Sequence, residues 1–140
     1  MVEAVRRYRP DMIIHLGDHS SDCDVLRSEF PGIPLYSVRG NCDLGSSAPD
    51  TDYVQVGPVK VFITHGHLYN VKWSVLQLAY AAREADCGVA MFGHTHDPFN
   101  EEFSGVRLLN PGTAGQGHFP TWAAFEVSDD GSYTFDIRDL

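Results

Sequence analysis

The sequence predicts an α/β protein, with two packed sheets and helices on the outside. Three observations carry this. Short apolar runs rich in β-branched residues recur along the chain. One segment of helical periodicity lies between two of them. The C-terminal third alternates apolar and polar residues and carries a hairpin turn signal. In order, Val2 to Tyr8 reads as a short helix closed by Pro10. Met12 to Leu16 and Leu35 to Val38 read as buried strands. Tyr53 to Val56 and Val59 to Ile63 flank Gly57-Pro58 and form a hairpin. Val71 to Asp86 is the one long helix, with Asn70 as its cap and Val71, Val75, Leu78, Ala79 and Ala82 at helical spacing. Val89 to Phe92 is another strand. Val106 to Leu109, Trp122 to Val127 and Tyr133 to Ile137 complete the set, the last two joined by a turn at Asp129-Asp130-Gly131-Ser132.

The chain has 140 residues, the size of a single domain spanning 1–140. Acidic residues number 19 against 10 Lys and Arg, a formal charge of −9. So acidic a domain lacks the footprint of a nucleic-acid binder, whose affinity comes largely from neutralising phosphates. Nucleotide substrates stay open, because a bound divalent cation reverses the local field. No run approaches the ~18 apolar residues of a membrane span. Three cysteines, Cys23, Cys42 and Cys87, form no paired framework, which fits a reducing, cytoplasmic setting.

The apolar runs end in a recurring way. Ile14-His15-Leu16 leads into Gly17-Asp18, and Tyr36-Ser37-Val38 into Arg39-Gly40-Asn41-Cys42-Asp43. Val61-Phe62-Ile63 leads into Thr64-His65-Gly66-His67, and Met91-Phe92 into Gly93-His94-Thr95-His96. Each strand therefore delivers Asp, Asn or His past its carboxyl end, the edge where open α/β sheets bind ligands. A carboxylate, an amide and several imidazoles suit divalent Mn, Fe, Zn or Ni better than Ca or Mg. A carboxylate can bridge two metals, and a pair ~3.5–4 Å apart is a device for phosphoester hydrolysis. Taken singly the motifs are ordinary. His15 reads as a core or supporting histidine, His118 as part of a Gly-rich solvent loop, and Asn41-Cys42-Asp43 alone as a turn.

The four motifs in this order resemble the calcineurin-like metallophosphoesterase superfamily, and Asn-Cys-Asp resembles its small bacterial and archaeal phosphodiesterase branch. Asn110-Pro111-Gly112-Thr113 resembles the Asn-Pro-Gly-Ser that follows the last metal motif there. The resemblance covers the chain from about Asp11 onward. It implies an α/β/β/α sandwich of two mixed sheets with a metal pair at one edge. Asp18 would bridge the metals, Asn41, His65 and His94 would complete one site, and His96 would serve the other. A metal-bridged hydroxide would attack phosphorus. Asn41 would also contact a phosphoryl oxygen, and Gly112 would shape the floor of the site.

Two departures follow from the same resemblance. Many superfamily phosphatases have a proton-donating His after the Asn, whereas this chain has Cys42, read as a small buried filler. Leaving-group protonation then falls to water or to His67. The family also opens with a strand ending in Asp-x-His, and nothing before Gly17 fits it. Met1 to Pro10 reads as the helix that follows that strand, so the chain is N-terminally truncated relative to the family. Two metals are the family expectation, Mn first among them, and one is the expectation for the donors present here.

The sequence thus supports a metal-dependent phosphoesterase, acting on phosphodiesters among small-molecule or nucleotide phosphoesters. The alternative is a non-catalytic binding or scaffold module of the same fold, as in a subunit of the retromer complex, with one metal or none. Open sheet edges also invite homo-oligomers.

Overall fold

The structure, a computed structural model, describes residues 1–115 and 119–140. Helix α1 is Val2–Tyr8, strand β1 Ile13–His15, helix α2 Ser21–Glu29 and strand β2 Leu35–Ser37. Strands β3 (Thr51–Val56) and β4 (Val59–Thr64) form the expected hairpin. A single 3₁₀ turn at His67–Tyr69 precedes helix α3 (Leu76–Glu84). Strands β5 (Val89–Met91), β6 (Pro98–Phe103), β7 (Val106–Pro111), β8 (Thr121–Val127) and β9 (Tyr133–Asp139) follow.

Five strands make one mixed sheet in the order β3-β4-β5-β7-β6. Strands β4, β5 and β7 run parallel, and β3 and β6 are antiparallel edges. Parallel strands are buried on both faces, which explains their near-continuous apolar sequences. Alternate residues serve opposite faces. Phe62, Ala90, Phe92 and Leu108 face α3, meeting Leu78, Ala79 and Ala82. Val61, Ile63, Val89, Met91 and Leu109 face a second strand layer.

That second layer consists of two separate ladders. Strands β1 and β2 pair in parallel, and β8 and β9 pair antiparallel. Both press on the same face of the large sheet, through Ile14 and Leu16 on one side and Phe125, Tyr133 and Phe135 on the other. The β1–β2 register sends the N–H of Ile13 to the Pro34 carbonyl and the carbonyl of His15 to the Val38 N–H. The backbone groups of Ile14 therefore point away from β2, along an open edge. Helix α1 covers the outer face of β8–β9, where Tyr8 meets Trp122 edge-on at 5.2 Å and Arg138 lies over both rings. Helix α2 buries Cys23 and Leu26 beside β2. The layers are thus helix, strand, strand, helix, as the sequence implies.

Three expectations change. The segment from Val71 to Asp86 is not one helix: α3 begins only at Leu76. Asn70 does not cap it. Asn70 takes φ 53° to close the 3₁₀ turn, and Val75 precedes α3. Val71 instead packs under Gly66, in the core. Helix α2 and edge strand β6 carried no sequence expectation. All four chemistry-bearing motifs follow the carboxyl ends of β1, β2, β4 and β5. The Gly93 N–H donates to the His65 carbonyl (3.0 Å), which ties two of them together.

Leu78 is fully buried between α3 and the large sheet. Leu78→Ala should lower unfolding free energy by about 2–5 kcal/mol in urea titration, since it removes a fully buried side chain and leaves a cavity. A loss under about 1 kcal/mol would mean α3 does not seal this core.

Candidate metal centre

His65 follows β4 and is 2% exposed. Its Nδ1 lies 2.7 Å from the Leu16 carbonyl, just past β1. A carbonyl only accepts, so Nδ1 carries the proton and Nε2 of the neutral ring carries a lone pair. That lone pair faces Asn41 Oδ1 at 3.0 Å, His94 Nδ1 at 3.2 Å and Asp18 Oδ2 at 3.4 Å. Two of these three partners are oxygen acceptors. Against those two oxygens lone pair faces lone pair, while a neutral His94 can donate from Nδ1, so the cluster is a donor set suited to a cation.

A proton on His65 would serve, but burial lowers its pKa, more than the Leu16 carbonyl and Asp18 raise it. His94 is lowered to about 4, by burial first, then by Lys72 and the neighbouring imidazoles. Neutral imidazoles are the form that ligates metals. Donors ~2.1 Å from one ion lie ~3.0–3.4 Å from each other at octahedral or tetrahedral angles, the spacing seen around His65 Nε2. Among the described residues no three His, Cys, Asp or Glu side chains stand as a ready-made ligand group. The short distances radiate from His65 alone, and Asn41 supplies one of them. The donor chemistry suits one divalent ion.

The backbone at the site is strained. Asp18, His94 and His96 adopt φ 62°, 64° and 65°, conformations uncommon outside glycine. Gly40 is required by close approach, because a Cβ there would overlap the Asp18 carboxylate and backbone. The Cys42 N–H donates to Asp18 Oδ1 (2.9 Å), which leaves Oδ2 for His65. The Cys42 side chain is exposed and not a buried filler. The nearby Asp18 charge pushes its thiol pKa up, so it remains a weak acid.

His67 sits 5.3 Å from His65 and 6.0 Å from His94, ring to ring. Its buried Nδ1 has no hydrogen-bond partner among the described residues. His96 is exposed, and no described contact joins it to the other four donors. His15 is half-buried and accepts the Gly17 N–H at Nδ1 (3.3 Å), a supporting role as expected. Gly112 sits in a tight pocket beside Thr121 and Pro98. His118 lies outside the described residues.

Two residues that the sequence motifs contain without a stated role act as anchors. Asn110 is fully buried. Its Nδ2 donates to the Gly93 carbonyl and to Thr95 Oγ1, both at 3.0 Å, and its Oδ1 accepts the Gly112 N–H. It holds the His94 loop. Asp43 is 7% exposed and accepts the N–H groups of Ser20 (2.8 Å) and Gly40 (2.9 Å). Burial alone would raise its pKa, but the N–H donors of Gly40, Ser20 and Asp18 outweigh burial and hold it below the usual carboxylate value. In the sequence its place after Gly-Asn-Cys reads as a turn, and the bond to Ser20 is visible only in the fold.

Because its folded pKa is depressed, Asp43 stabilises the fold above the unfolded value of ~3.9. That stabilisation is lost as pH falls through the folded value. Asp43→Asn should cost about 1–3 kcal/mol near pH 6 in urea unfolding of metal-free protein, and the difference should shrink as pH falls from the unfolded carboxylate value through the depressed folded one. A difference that stays constant to low pH would mean the carboxylate charge plays no part.

Comparison with known proteins places the chain in a family. The model of the calcineurin-like phosphoesterase superfamily domain matches residues 1–130. A probable metallophosphoesterase of Bacillus subtilis is 35% identical over 104 residues, 74% of this chain. The chain spans 59% of the length of that relative. A phosphodiesterase of Methanocaldococcus jannaschii is 41% identical over 116 residues, 73% of this chain and 66% of its own. Among solved structures, a Vps29 variant from Entamoeba histolytica superposes with a TM-score of 0.79 at 22% identity, over 99% of this chain and 87% of that one. Family model, curated relatives and fold all agree, and the chain belongs to the calcineurin-like phosphoesterase superfamily.

Proposed function

We propose that this chain is a metal-dependent phosphoesterase acting on phosphodiesters, with one divalent cation held by Asp18, Asn41, His65 and His94. The convergence of the Asn41, His94 and Asp18 donor atoms on His65 Nε2 carries this reading. Mn fits the donor set, and so do Fe, Zn and Ni. Such an ion supplies Lewis-acid polarisation of a phosphoryl group and acidifies water.

The chain's own residues do the rest. His65 is locked by Leu16 and presents Nε2 in one tautomer. Asp18 is oriented by the Cys42 N–H. The Asn41 amide N–H, whose partner in the structure is the Cys42 thiol at 3.5 Å, is free to turn to a phosphoryl oxygen. His67 is the proton donor to the leaving oxygen, being beside the cluster with a ring nitrogen that has no partner among the described residues. His96 would belong to a second cation only if further ligands gathered around it.

A second reading, a binding module without turnover, is favoured by the isolation of His96 and by the Vps29 fold likeness. The two readings part on one assay. Mn-supplemented protein should hydrolyse bis(p-nitrophenyl) phosphate, and Asp18→Asn or His94→Ala should reduce kcat/KM by roughly 100-fold or more. His67→Ala should lower kcat about 10- to 100-fold with little change in KM. Turnover that survives both ligand substitutions rejects the site, and no turnover in the unsubstituted protein favours the binding module.

A further inference from the structure

Helix α3 buries one face and leaves an unusual one in water. Leu78, Ala79 and Ala82 are buried against the large sheet. The opposite side of a surface helix is ordinarily charged or polar. Here it carries Leu76 and Tyr80, 40% and 51% exposed, four residues apart and therefore side by side. Apolar surface continues past both ends of the helix. At its start is Trp73, 91% exposed. The Trp73 and Ser74 N–H groups donate to the Asn70 carbonyl at 2.9 and 3.2 Å, and Ser74 Oγ accepts the Leu76 N–H at 3.2 Å. Trp73 is thus fixed in a hydrogen-bonded turn three residues, at most about 11 Å of chain, from Leu76. At the other end, Lys60 Nζ donates to the Ala85 carbonyl (2.8 Å) and lies 5.1 Å from the centre of the Tyr53 ring. That places Tyr53, 49% exposed, beside the last turn of α3.

These four side chains leave roughly 500 Å² in water, at the upper end of what a monomer carries as one patch. Doubled across a two-fold axis and enlarged by its rim, the patch passes the roughly 1,000 Å² that a specific interface needs. The rim is self-complementary. Lys72 stands at the start of the face and Glu84 at its end, both exposed. Neither Lys72 nor Arg83 belongs to an ion pair among the described residues. Two copies laid antiparallel along α3 bring Lys72 of one to Glu84 of the other, and Arg83 of one to Trp73 of the other. The edges of the large sheet are blunted by comparison. Asp52 Oδ1 takes the Tyr53 N–H on β3 (2.8 Å), and β6 carries Pro98, Glu101 and Glu102.

We propose that this face of α3 is a homodimer interface, in which two copies pack their α3 helices antiparallel about a two-fold axis. A contact of this kind uses the same patch on both copies and closes on itself, so it stops at two. The face is built on the side of the large sheet away from the β1–β2 and β8–β9 ladders. The proposal stands apart from the phosphoesterase reading, and its test requires neither metal nor turnover.

Sedimentation velocity over a range of protein concentrations provides the test. The 15.5 kDa chain should sediment at the upper end as a particle of twice that mass, and dissociate on dilution with a micromolar constant. Tyr80→Glu should give a monomer with an unchanged far-UV circular dichroism spectrum. Trp73→Ser, at a position with little to lose in the monomer, should do the same. Lys72→Glu should weaken the dimer about 10-fold, and adding Glu84→Lys should restore most of the loss. A dimer that survives Tyr80→Glu and Trp73→Ser, or a double charge variant as weak as the single one, overturns the proposal. A chain that stays monomeric at every concentration also overturns it, and this face then serves a different protein or a lipid surface.

Discussion

The hydrogen bond from His65 Nδ1 to the Leu16 carbonyl is the constraint on which the site depends. It joins the end of β4 in the large sheet to the end of β1 in the second layer. At 2.7 Å, around a histidine that is 2% exposed, it works in low dielectric, where leaving either group unpaired is costly. It also decides proton placement. With Nδ1 committed, Nε2 becomes the acceptor around which Asn41, His94 and Asp18 gather. One bond thus sets layer register and ligand polarity together.

The other motifs build outward from that point. Gly40 permits the approach of Asp18, the Cys42 N–H turns its carboxylate, and Asp43 fastens both loops from beneath. On the far side Asn110 clasps the loop carrying His94. The left-handed backbone of Asp18 and His94 is supported by these bonds. The strain is local, and the packed faces of β4, β5 and β7 carry it. A cation at the centre would relieve the opposed lone pairs that this framework enforces.

How much of this the sequence reveals depends on what each residue reports. Strands β4, β5 and β7 are legible because both faces are buried, so their apolar runs are nearly unbroken. Strand β6 is not. Pro98, Asn100, Glu101 and Glu102 are exposed on an edge, where polarity and proline are tolerated and the apolar signal vanishes. Helix α2 hides for a similar reason, since Cys23 and Leu26 are its only described buried residues among serines and acids. Asn70 misleads because Asn serves helix starts and left-handed turns alike, and here the turn wins. At the site, Gly-Asp, Gly-Asn, Thr-His and Gly-His are legible as polar residues past strand ends. Asp43 is not, because a local turn explains the same residues, and its bond to Ser20 spans 23 positions that only the fold brings together.

Metal uptake tests the central claim most directly. Purified protein would be reconstituted with Mn, freed of unbound ion, and assayed by elemental analysis beside Asp18→Asn and His94→Ala. The account predicts about one ion per chain, lost in both variants. No bound ion, or one ion retained in both variants, would contradict it.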